Sequence, residues 1–215
     1  MITLNNITRK YGDFYALKNI DLTIGKGDYI AICGRSGSGK TTLLNLVGGL
    51  DRPTNGDLIV KDINFNSSSD DQLAEFRNKN LGFVFQSFHL EPTYTVYKNI
   101  EIPLLIANAD KKESKLKIEQ VAEKLGITSK LKNIANTLSG GEKQRVAIAR
   151  ALINDPDIII ADEPCGNLDS KNSAAIMDIL DTLSKEGKTI ILVTHQESDA
   201  KRAKKIITLE DGQII

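Results

Sequence analysis

The chain has 215 residues, room for one large domain or for a core carrying a smaller inserted subdomain, with a substantial apolar interior. Lys plus Arg and Asp plus Glu are equal at 28 each, so no net field points to DNA, RNA or an anionic membrane surface as a partner. The two cysteines, Cys33 and Cys165, are too far apart for a metal knuckle or a disulfide framework, and no apolar run approaches the roughly 18 residues of a membrane span.

In chain order, the opening MITLNNITRKYG lacks the apolar stretch of a secretory signal. Ile2–Ile7, Asp21–Ile24 and Leu58–Val60 read as short strands split by turns, one of them Thr54-Asn55-Gly56-Asp57, which predicts an antiparallel layer. Asp28–Cys33 reads as a buried strand, Gly34–Gly39 as a glycine-rich turn, and Thr41–Leu50 as a helix whose Leu43, Leu44, Leu46 and Val47 face the sheet. A short helix is expected over Asp70–Asn78, with Ser69 as its cap and Gln72 closing a capping box. Between Gln86 and Leu138 the strand signal vanishes. Lys111–Leu125 sets Leu116, Val121, Ala122 and Leu125 against a charged face, as an inserted helical subdomain would. Farther on, Asp157–Ala161 and Thr189–Thr194 are short apolar runs of the kind that form central strands covered on both faces. The whole predicts an α/β fold with a mostly parallel sheet core, an N-terminal antiparallel β layer and an inserted α-helical subdomain.

Gly34-Arg35-Ser36-Gly37-Ser38-Gly39-Lys40-Thr41 matches GxxxxGK[ST] and lies after an apolar strand and before a helix. Its glycines let backbone N–H groups turn toward phosphates, the helix start adds positive potential, and Lys40 supplies a cation for the β and γ phosphates of ATP. Thr41 offers its hydroxyl to Mg²⁺, and Thr42 follows in the same turn. Ile158–Glu163 is an apolar strand ending in two acids: Asp162 is a candidate for the metal and Glu163 for polarising a water. Ser139-Gly140-Gly141 opens another helix, either as an ordinary cap or as a second anion site.

The string Leu138–Gly141, read as LSGG, with Gln144–Leu152, read as QRVAIARAL, resembles the signature of the ATP-binding subunits of ABC transporters. The resemblance covers essentially the whole chain. It implies that Tyr11 stacks on adenine, Gln86 contacts Mg²⁺ and water, His195 approaches the γ phosphate, and Asp169 belongs to the loop Gly166-Asn167-Leu168-Asp169. Each has a plainer use: a packed surface aromatic, a loop amide, a strand-end histidine and a helix cap. It further implies a P-loop NTPase in which 1–86 and 139–215 form the core and β subdomain, while 87–138 form the helical subdomain. Two copies would pair head to tail, so that Ser139, Gly140 and Gly141 of one close over ATP held by the other, on the cytoplasmic face of a membrane under a separate permease, with no nucleic acid as partner.

Gly82–Phe88 and Ala161–Pro164, with Gly166–Asp169, resemble the branch of lipoprotein-releasing, macrolide-exporting and cell-division ATPases. Cys165 stands where that branch usually has threonine, and Glu91–Tyr97 is more polar than its counterpart. The expected function is an ATPase that powers export or extraction of a peptide, lipid-linked or drug-like molecule. The alternative is an ATPase of a complex that transmits force or a signal without transport.

Overall fold

Apolar runs a few residues long, punctuated by glycine, set the scale of the elements in a computed structural model that describes all 215 residues. The chain forms β1 (Ile2–Tyr11), β2 (Phe14–Ile24), β3 (Tyr29–Cys33), α1 (Lys40–Val47), β4 (Asn55–Val60), β5 (Ile63–Asn64), α2 (Asp70–Asn80) and β6 (Leu81–Phe85). It continues through α3 (Val96–Ile106), α4 (Lys111–Lys124), α5 (Gly140–Leu152), β7 (Ile158–Asp162), α6 (Ser170–Lys185), β8 (Thr189–Val193), α7 (Glu197–Ala200), β9 (Lys205–Glu210) and β10 (Gln213–Ile214). Two compact units result, Met1–Arg77 with Asp181–Ile215, and Asn78–Leu180, the boundaries falling inside α2 and α6.

In the first unit, β1 and β2 make a hairpin closed by Gly12 and Asp13, and Gly12 takes the left-handed φ of +57° that so short a loop favours. The antiparallel order is β2-β1-β4-β5, with Ile2, Leu4, Ile7, Ile20, Ile24, Leu58 and Val60 buried on one side. The turn expected at Thr54–Asp57 is instead the start of β4. Asn55 already pairs with Thr8, and Gly56 lies so close to β1 that a Cβ would strike the backbone carbonyls of Asn5 and Asn6. Its glycine therefore serves an irregular strand pairing rather than a reversal. The second layer runs β10-β9-β3-β8, with β8 and β9 parallel to β3 on its two sides. All of Thr189–Val193 and Tyr29–Ile32 is buried, which is why both strands read as unbroken apolar runs.

Helix α1 ends at Val47, not Leu50, because Gly48 and Gly49 follow it. Its Leu43, Leu44, Leu46 and Val47 are buried as expected. Helix α2 has the expected capping box, with Gln72 N–H donating to Ser69 Oγ (3.2 Å) and Ser69 N–H to Gln72 Oε1 (2.8 Å). Its Phe76 meets buried Phe65 edge to face at 5.2 Å.

In the second unit, β6 and β7 are parallel, from Leu81 opposite Ile158 to Phe85 opposite Asp162. Gly82 lets α5 approach β6, since a Cβ there would lie 2.6 Å from the Ala151 carbonyl. No strand lies between β6 and β7, and α3, α4 and α5 fill that stretch. Helix α4 buries Ser114, Ile118 and Ala122, while Leu116, expected on the inner face, is 59% exposed. At about 100° per residue, Leu116 lies some 200° from the 114–118–122 row and so faces away from it. No helix is long and apolar enough to cross a membrane.

Candidate functional site

The first unit carries the phosphate-loop motif, Tyr11 and His195. Leaving β3 at Cys33, which is half-buried rather than fully buried, the chain turns through Gly34–Gly39 and enters α1 at Lys40. Gly39 has φ +104°, and a Cβ on it would come 2.6 Å from the Ala16 carbonyl. Gly34 is equally confined, against the Leu209 carbonyl and Ser38 Oγ. The turn is thus pressed between β2 and β9, and only glycine fits at these two places. Lys40 Nζ donates to the carbonyls of Gly34 and Arg35, both at 2.8 Å, so the ammonium already lies over the loop. Gly212 N–H holds the Ser38 carbonyl from the other side at 3.1 Å. The Ser38 hydroxyl is buried without a hydrogen-bond partner. Arg35, Ser36, Gly37 and Thr41 are exposed and Thr42 is half-buried. No side chain caps α1, which leaves its first-turn N–H groups to an anion.

His195 is exposed two residues beyond β8. Because Val193 is the parallel partner of Ile32, and Thr194 N–H donates to the Ile32 carbonyl at 3.3 Å, His195 and the phosphate loop leave the sheet at the same edge. Tyr11 closes β1, the residue 45% exposed and its hydroxyl donating to Asp51 Oδ2 at 2.6 Å.

The second unit carries Gln86, the acidic pair and the signature. Phe85 and Asp162 are paired strand ends, so Gln86 and Glu163 emerge side by side. Glu163 has φ +47°, a left-handed backbone that costs a non-glycine residue about 1 kcal/mol or more, and its carbonyl accepts from Gly166 N–H at 3.0 Å. Gln86 and Asn167 bind reciprocally, Gln86 Nε2 to Asn167 Oδ1 (3.3 Å) and Asn167 Nδ2 to the Gln86 carbonyl (3.1 Å). Gly166 makes this possible, since a Cβ would come 2.6 Å from Gln86 Nε2. Asp169 caps α6, accepting from Asn172 N–H (2.9 Å) and Asn172 Nδ2 (2.6 Å), and these bonds hold its carboxyl below the usual range. The Asn172 amide in turn lies where a Cβ on Gly141 would be, so the 166–169 loop and the signature glycines are neighbours within one chain.

Ser139 caps α5 in a capping box. Its hydroxyl accepts from Glu142 N–H (3.4 Å) and donates to Glu142 Oε2 (2.9 Å), which also accepts from Ser139 N–H (2.9 Å). Lys130 Nζ lies 2.8 Å from Glu142 Oε1. That hydrogen-bonded ion pair, with the two Ser139 bonds, lowers the Glu142 carboxyl to about 2.

Two positioning side chains escape a reading of local motifs. Gln144, fully buried, donates from Nε2 to the carbonyls of Phe85 (3.3 Å) and Pro164 (2.7 Å) and so ties α5 to the ends of both strands. Arg150 donates to the carbonyls of Phe88 (2.9 Å) and His89, both left-handed, and so pins the segment after Gln86. Both lie in the QRVAIARAL string, but their partners are about 20 to 60 residues away and leave no local trace.

Residues 17–166 match the family model described as ABC transporter. The chain belongs to the ABC transporter ATP-binding family. It is 45% identical over 219 residues to the uncharacterized ABC transporter ATP-binding protein YvrO of Bacillus subtilis, covering 100% of this chain and 96% of that protein. With the macrolide export ATP-binding/permease protein MacB of Hyphomonas neptunium it shares 43% identity over 219 residues, all of this chain but 34% of MacB. Among solved structures, the dimeric structure of MJ0796, a bacterial ABC transporter cassette, superposes with TM-score 0.92 at 42% identity, covering 100% of this chain and 96% of the other. The same cassette in a post-hydrolysis dimer bound to ADP and Pi superposes at 0.91 and 41%. As an ABC cassette, this chain binds ATP and is an ATPase, and its expected α/β P-loop fold is the one observed.

Proposed function

We propose that this ATPase powers an export complex, acting as a head-to-tail pair on the cytoplasmic face of a membrane, docked on a permease carried by a separate chain. One observation carries the reading. Relatives 43–44% identical over the whole chain are named as macrolide and pyoverdine export ATP-binding/permease proteins, which supports export through a permease as the work this ATPase powers. The dimeric MJ0796 cassette supports the pairing.

In this reading Lys40 and the N–H groups of Gly34–Gly39 hold the phosphates, with Arg35, Ser36, Ser38 and Thr42 around them, and Tyr11 carries the base. Thr41, Asp162 and Gln86 offer a hydroxyl, a carboxylate and an amide to Mg²⁺. No group of three or more His, Cys, Asp or Glu side chains able to hold a metal occurs, which suits an ion that takes phosphates and waters as its other ligands. Bound there, Mg²⁺ would neutralise charge on the departing phosphate. Glu163 polarises the attacking water, Gln86 positions it, and His195 steadies the γ phosphate. Asp169 and the signature residues Ser139, Gly140 and Gly141 of the second copy close the site. Residues 87–138 act as the helical arm, and 1–86 with 139–215 as the nucleotide-handling body.

Glu163→Gln is expected to retain ATP binding, to lose about 100-fold or more of the hydrolysis rate and to accumulate as a dimer with ATP. Unaltered steady-state hydrolysis would overturn the role given to Glu163. For the transport reading, vesicles holding the co-purifying membrane protein should move a peptide, lipid-linked or drug-like molecule only with ATP. Hydrolysis without movement in every such assay would favour the force-transmitting alternative.

A further inference from the structure

Tyr11 is not an isolated surface aromatic. Arg9, two residues before it on β1, places its guanidinium carbon 4.4 Å from the Tyr11 ring centroid, over one face. The same guanidinium grips Asp51 in a fork, Nε to Oδ2 at 2.8 Å and Nη2 to Oδ1 at 2.8 Å. The Tyr11 hydroxyl donates to Asp51 Oδ2, and Arg52 N–H donates to Asp51 Oδ1 at 2.8 Å. The Asp51 carboxylate therefore receives four donors, two on each oxygen, and accounts for all its lone pairs. Its partial burial works against the charge, but these bonds outweigh it and hold the carboxyl below its usual range. Arg9 and Asp51 are each only 22% exposed, so this is a partly desolvated fork rather than a loose surface pair.

We infer that Arg9 and Asp51 are positioning residues that hold Tyr11 as a one-sided platform for the nucleotide base. The inference rests on the proposed role of Tyr11 in carrying that base, and adds what fixes the platform. A tyrosine ring at the end of a strand is free to rotate about two side-chain bonds. Here its far end is anchored by Asp51 and one face is covered by Arg9, while the residue stays 45% exposed. An aromatic group stacking on the remaining face meets a ring already immobilised, so less rotamer entropy is lost on binding. The hydroxyl is spent on Asp51, so the platform offers a π surface rather than an edge. The guanidinium, planar and delocalised, suits the covered face as an ammonium would not.

The test measures equilibrium binding of ATP and, by competition, of inorganic tripolyphosphate, both with Mg²⁺, to the wild-type chain and to Tyr11→Ala, Tyr11→Phe, Asp51→Asn, Arg9→Ala and Arg9→Lys. Asp51→Asn and Arg9→Ala should each weaken ATP by about 3- to 10-fold, the range of one stacking or cation–π contact, and leave tripolyphosphate, which has no base, unchanged. Arg9→Lys should restore part of the loss and Tyr11→Phe should resemble Asp51→Asn. If Tyr11→Ala weakens ATP but the Arg9 and Asp51 variants do not, the positioning role is wrong and the role of Tyr11 stands. If Tyr11→Ala also leaves ATP binding unchanged, both fail. An equal loss for ATP and tripolyphosphate would mean that the cluster only supports the fold, which overturns the inference.

Discussion

Two helices of this chain begin in glycine-rich turns, and they are finished in opposite ways. At α1 no side chain caps the N-terminus. Gly34 and Gly39 lie hard against neighbouring carbonyls, and Lys40 is held over its own loop by two more. At α5 the first turn is closed by the chain itself, with Ser139 and Glu142 capping each other and Lys130 pairing with the carboxylate. A helix start favours negative charge. The first leaves that preference to a ligand, whereas the second already satisfies it with Glu142. The two readings of Ser139-Gly140-Gly141, cap and anion site, are therefore in tension at one serine hydroxyl, where a phosphate would have to compete with a Glu142 carboxylate that already accepts from Ser139 N–H and Oγ.

If α1 is the preformed anion site, Lys40→Ala should have the largest effect. Loss of a charge-assisted contact to the phosphates should weaken ATP binding by about 100-fold, measured at equilibrium, and a change under threefold would break the comparison. At α5 the effects should separate. Ser139→Arg should leave ATP binding to the single chain within about twofold, yet lower hydrolysis by at least tenfold, because in the proposed head-to-tail pair the group it spoils meets nucleotide held by the other copy. Cooperative hydrolysis surviving in Ser139→Arg would mean that the signature does not face nucleotide.

The cap itself gives smaller expectations. Ser139→Ala should cost about 1 kcal/mol of stability and lower the melting temperature by about 2–4 °C, read by thermal unfolding. The ion pair should be smaller still, under about 1 kcal/mol, since both partners are about a third exposed. Its sign follows from the depressed Glu142 carboxyl, about 2 against an ordinary 4.5. Stabilisation is complete above pH about 4.5 and is lost as pH falls toward 2. Wild type should therefore exceed Glu142→Gln in stability at pH 7 and lose that margin between about pH 4.5 and 2. A margin that grew on acidification would contradict the pairing.

Much of this is legible in the sequence. The phosphate loop, the strands before Gly34 and Asp162, and the Ser69–Gln72 box all follow from contiguous residues, where turn chemistry and strand burial act locally. The local pattern misleads where a residue serves something distant. Asn55-Gly56 carries the strongest short-range turn signal, but the glycine is needed for the close approach of β4 to Asn5 and Asn6. Leu116 completed an apolar count on a helix whose buried face is set by Ser114, Ile118 and Ala122 instead. Gln144 and Arg150 read as part of a helix, and their work on Phe85, Pro164, Phe88 and His89 lies across contacts of 20 to 62 residues.

The amino-acid order alone sets the chemistry on offer: a glycine turn with a lysine, an acidic pair at a strand end, and a serine at a helix start, each specified by neighbours within one turn or strand. Which of these groups is already engaged depends on the folded chain. Lys40 rests on two carbonyls, Ser139 is bound to Glu142, and Tyr11 is held by Asp51 and Arg9 from 40 and two residues away. Hydrogen bonds and ion pairs of that kind depend on distance in space, to which a motif is blind.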